Sequence, residues 1–100
     1  MRNISDEMEE AFFERYFEYG DDSETTHANL KKACYVMKKA HEEAERITAL
    51  VENGECFDES QAILAFQTLA LAKNSYEGFL ADIPENERAV YQEMVRGIIK

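Results

Sequence analysis

The chain predicts an all-α fold: a small antiparallel four-helix bundle with a long central helix hairpin. Three observations carry this. There is one proline and there are four glycines in 100 residues, and these are the two residue types that break helices. Apolar residues recur at spacings of three and four, the period of a helix face. The few breakers fall beside capping residues and divide the chain into helices over about residues 6–19, 24–53, 59–81 and 84–99.

Each helix has its own signals. For the first, Ser5 is a natural N-cap, Asp6 and Glu7 suit the positive helix start, and Gly20 offers a left-handed stop. Asp21, Asp22 and Ser23 are candidate caps for the second, which meets no Gly or Pro before Gly54. The third opens on Asp58, Glu59, Ser60 and Gln61, a capping-box-like run, with Phe57 placed to staple onto its first turn. Ile83 and Pro84 force a break, and Pro84 suits the first turn of the fourth helix. Short connections make consecutive helices antiparallel neighbours. The second and third helices form the hairpin. The first and fourth lie against its half nearest residue 30, within a single domain over 1–100, and a hairpin protruding beyond them is the natural variant.

In the second helix Leu30, Cys34, Met37, His41, Ala44, Thr48 and Val51 form a heptad-like seam, with Ala33, Ala40 and Ile47 beside it. The third helix is apolar almost all round between Ala62 and Ala72, broken by Gln67 and Thr68. A helix of that kind is buried on most sides, which a simple bundle does not provide. A homodimer covering this helix is therefore one reading of the chain.

Charge excludes several functions. Lys and Arg number 11 against 21 Asp and Glu, a net charge of −10. Direct nucleic-acid binding needs the opposite sign, and anionic membrane surfaces repel this field. No apolar run at the N-terminus suggests a signal peptide and no segment reaches membrane-span length, so a cytoplasmic location is expected. No serine or cysteine stands in a nucleophile motif, and no glycine-rich loop cradles phosphate. No enzymatic activity and no cofactor is expected. Glu24 with His27, and His41 with Glu45, supply only separated half-sites for a metal, whereas carboxylate-bridged bundles need a paired set. Cys34 and Cys56 are held far apart by the helix between them, so no disulfide is expected.

The first helix is the unusual segment. Met8, Phe12, Phe13, Tyr16, Phe17 and Tyr19 spread over an arc of roughly 180°, wider than one buried stripe requires. Beside Phe13 and Phe17 runs an acidic line, Asp6, Glu10, Glu14 and Glu18, spaced four apart. Like charges at that spacing repel by about 0.2–0.5 kcal/mol per pair. Residues 1–24 hold nine acids against Arg2 and Arg15, so most of the net charge sits in the first quarter. The stripe is a solvated face with no partner, or one of two things answers it. One is internal: Lys31 and Lys38 on one line of the second helix, Lys32, Lys39 and Arg46 on the next. The other is a basic surface on a larger protein.

The second option makes the chain an acidic protein-binding module, an inhibitor or adaptor. Its partner-binding residues are Asp6, Glu10, Phe13, Glu14, Phe17, Glu18, Asp21 and Asp22. Aromatics would anchor the complex and charge would speed encounter. In composition the chain is similar to short acidic anti-defence proteins of mobile elements, such as anti-CRISPR proteins. Antitoxin and immunity proteins fit equally.

Overall fold

A computed structural model describes residues 4–20 and 22–98, with side chains from residue 7 onward. It contains four helices and, among the described residues, no strand: α1 (Ile4–Tyr16), α2 (Ser23–Glu52), α3 (Glu59–Ala81) and α4 (Glu85–Met94). The all-α architecture on a long hairpin is therefore the fold of this chain. α2 packs mainly along α3. At about 1.5 Å per residue, the 30 residues of α2 account for most of the 47 Å long dimension of the molecule.

The caps explain the boundaries. The Asp22 carboxylate accepts the Thr25 N–H at 2.7 Å and starts α2. Asp58 accepts from Ser60 N–H at 2.9 Å and Gln61 N–H at 3.3 Å to start α3. Between them α2 ends in a Schellman turn. Gly54 takes φ +72, its N–H donates to the Val51 carbonyl at 3.1 Å, and Glu55 N–H donates to Leu50 at 2.9 Å. Two orphan carbonyls are satisfied that way. The other end of α3 is closed from outside: Arg88 of α4 donates to the carbonyls of Ile83 (3.2 Å) and Ala81 (3.4 Å).

Four boundaries differ from expectation. α1 begins at Ile4, so Ser5 lies within the helix instead of capping it. α1 stops at Tyr16 rather than Tyr19, because Asn29 captures the backbone of Glu18. Its Oδ1 accepts the Glu18 N–H and its Nδ2 donates to the Glu18 carbonyl, both at 2.8 Å. Asn29 is the one buried polar residue among those described, and it takes over the partners a further helical turn would have used. α4 stops at Met94 rather than running on to 99, since Gly97 adopts φ +91, which a right-handed helix does not include; Val95, four residues after Tyr91, is buried on the same face. Gly20 is not a left-handed stop. It is needed for closeness: a Cβ there would sit 2.8 Å from Thr25 Oγ1 and 3.2 Å from Thr25 Cβ. Pro84 immediately precedes α4 as its cap residue instead of lying in its first turn.

The core lies at one end of the hairpin. Phe12 and Phe17 from the first segment, Leu30, Ala33, Cys34, Val36 and Met37 from α2, Ala72 and Tyr76 from α3, and Ile83, Tyr91 and Val95 form one cluster. α1 and α4 both add to this end, as expected. The other end holds a separate small cluster of Ile47, Ala62 and Ala65. Of the expected seam of α2, Leu30, Cys34, Met37 and Ala44 are buried, with Ala33, Ala40 and Ile47 beside them, but the line fades toward the far end, where Thr48 is exposed and Val51 is 52% exposed. Alanines on both helices permit close approach, but each buries little apolar area.

Candidate functional site

Two surfaces stand out, one charged and one apolar. The charged surface is built by α1 and the turn after it. Glu7, Glu14, Glu18, Asp22 and Glu24 are exposed, and Glu10 is half-buried. Asp21 and the Asp6 side chain, both expected in this surface, lie outside the described residues. Part of the internal lysine band does face the acids: Glu18 meets Lys32 at 3.7 Å, with both side chains about half in solvent or more. Two other members of the band pair within their own helix. Lys39 pairs with Glu42 at 3.9 Å and Arg46 with Glu43. Exposed pairs of this kind are weak, so they leave the surface charge available.

The aromatic residues divide differently from the expectation. Phe17 is 6% exposed and belongs to the core, where its ring meets Phe79 edge-on at 5.0 Å. It fastens the first segment to α3 and has no surface to offer a partner. Phe13 is half-buried between Phe17 (5.4 Å), Phe79 (6.1 Å) and Tyr19 (4.9 Å). The ring that does face solvent is Tyr19, 72% exposed, next in sequence to Glu18. A first helix running on to Tyr19 would turn this ring with Phe12 toward the core. Its backbone position follows from the Asn29 capture of Glu18.

The apolar surface lies on the hairpin half that α1 and α4 leave bare. There the size order of an ordinary helix is inverted. Ala62 and Ala65 point inward, whereas Ile63, Leu64 and Phe66 are 57%, 63% and 51% exposed. On the α1 side a groove of about 370 Å³ runs between α2 and α3. Val36, Ala40 and Ala65 form its floor; Tyr35, Lys39, Glu43, Gln61, Leu64 and Thr68 form its walls, and Tyr16 closes one end.

The histidines are structural ties. His27 Nδ1 lies 2.8 Å from the Tyr91 hydroxyl and its Nε2 is 3.7 Å from Glu87, joining α2 to α4. His41 meets Glu45 at 2.8 Å. No group of three metal-ligating side chains occurs among the described residues, and no helix there is long and apolar enough to cross a membrane. Cys34 is buried in α2 with its thiol 4.0 Å from the Tyr91 carbonyl, while Cys56 is exposed beyond the turn. Burial pushes the Cys34 thiol up to about 11, partly opposed by the charge of Lys38. No protein-family model, curated protein or solved structure matches the chain.

Proposed function

We propose that this protein is an acidic binding module that acts by occupying a basic surface of a larger protein, as an inhibitor or adaptor. The observation that supports it most directly is the outward placement of Glu7, Glu14, Glu18, Asp22 and Glu24 around an exposed Tyr19. The charge would draw the partner in, and the Tyr19 ring would supply the contact that slows dissociation. A basic groove that normally holds nucleic acid is one surface of the required chemistry. The module works by occupancy and carries out no reaction in this reading.

The test compares the wild type with a Glu7→Lys, Glu14→Lys, Glu18→Lys variant as bait in an extract of the native host. Circular dichroism first establishes that the helices persist. The reading requires a basic protein that the wild type retains, that moderate salt releases, and that the variant fails to hold. Equal retention by both baits overturns it.

A further inference from the structure

We infer that the bare half of the hairpin is a self-association surface, on which a second copy of this chain seats across the groove beside Leu64. The inference is independent of the acidic face.

The first support is the inverted packing. In a helix that ends its folding at one interface, the large apolar side chains go in and the small ones stay out. α3 does the reverse between residues 62 and 66, so the side chains able to bury most area are left over after the monomer has folded. The groove beside Leu64 has a floor of alanines and a valine, which is the shape a leucine ridge from a facing helix enters.

The second support is charge, and it selects the occupant. Residues 60–72 carry no ionisable charge in a chain whose net charge is −10. The groove walls contain one cation and one anion, Lys39 and Glu43. A basic partner would be drawn to the acidic end of the molecule and gains nothing here. A second copy is repelled nearly everywhere except at a face that is electrically neutral, and this is that face.

The Lys39–Glu43 arrangement also fits a two-fold axis. Symmetric contacts set residue i against j and j against i. An axis crossing α2 level with His41 brings Lys39 of one copy opposite Glu43 of the other, and the reverse. The existing partners of these groups are exposed neighbours on the same helix, Glu42 beside Lys39 and Arg46 donating to both carboxylate oxygens of Glu43. Two helices over about a dozen residues present a footprint on the order of 400 Å². That is about half of the area each partner contributes to a standard interface, the size class of weak, transient contacts.

Sedimentation velocity over roughly 1 µM to 1 mM, the span of weak association, tests this. The wild type should convert from monomer to dimer across the series. Leu64→Glu should remain monomeric throughout; Leu64 is 63% exposed, so unchanged circular dichroism will confirm that the fold is kept. Lys39→Glu and Glu43→Lys should each weaken self-association by about tenfold or more, because each sets like charges across the axis. An equimolar mixture of the two should dimerise again as the heterodimer. A wild type that stays monomeric at the highest concentration overturns the inference. So does a dimer insensitive to Leu64→Glu, or a mixture of the charge variants no more associated than either alone. The acidic-face variant should dimerise like the wild type, which separates this result from that of the extract experiment.

Discussion

Replacing Asn29 by alanine should destabilise the protein out of proportion to the size of the change. The side chain is 3% exposed and makes two 2.8 Å hydrogen bonds to the backbone of one residue, Glu18. Each such bond contributes about 0.5–1.5 kcal/mol, and a donor or acceptor left without a partner in a part-buried place adds to the loss. The sum is about 2–3 kcal/mol. That is a large share of the roughly 5–15 kcal/mol expected for a domain, and it corresponds to a fall in Tm of roughly 10–20 °C. The loss has a structural address. Without Asn29 the chain after Tyr16 is free to continue as helix, which would turn Phe17 away from Phe79 and open the main cluster. Urea unfolding followed by circular dichroism gives the stability, and Asn29→Asp is the informative companion: it keeps the acceptor for Glu18 N–H but faces the Glu18 carbonyl with another oxygen. If Asn29→Ala unfolds within 0.5 kcal/mol, about the usual limit for surface changes, the account of how α1 ends is wrong.

Gly54→Ala should cost about 1–2 kcal/mol, because φ is +72 there and an added Cβ meets nothing within 4 Å; denaturant unfolding checks it, and a cost near zero would mean the turn is not left-handed. A thiol reagent at neutral pH should modify Cys56 at once and Cys34 only on unfolding, since Cys34 is buried and its thiol is held up at about 11; rapid loss of both thiols in the native protein would contradict the core described above. Hydrogen bonds from the Thr25 backbone N–H and then its side chain hold Asp22 below its ordinary 3.8. A lowered carboxylate contributes stability above that value and loses it as pH falls through the folded value. The stability difference between wild type and Asp22→Asn should therefore be level above about pH 5 and shrink below about pH 4; a difference that grows on acidification would reverse the assignment.

Much of the fold is legible in the sequence because its breaks are chemically marked. Asp22, Asp58 and Pro84 each immediately precede an observed helix and Gly54 follows the C-cap of α2, and their preferences are local. What is not legible depends on the third dimension. Asn29 reads as an ordinary surface polar residue on a helix, and nothing near it in sequence announces that Glu18 lies against it. The orientation of α3 is hidden for another reason: with apolar residues on every side, periodicity cannot say whether Ala65 or Leu64 faces the partner helix. The acidic residues are visible as a cluster from charge alone. Which ring accompanies them is not, because Phe17 and Tyr19 exchange roles once the first helix ends three residues early.

The alanine seam of the bare hairpin end also sets how the native molecule breathes. Amide protons between Val51 and Gln61 are guarded by the Gly54 turn, by the Asp58 cap and by a cluster of three side chains, Ile47, Ala62 and Ala65. Those around Leu30 and Met37 sit under the whole aromatic cluster. Deuterium should therefore enter the tip through partial openings long before it enters the other end, which exchanges only by global unfolding. The long helices thus have one anchored end and one that frays.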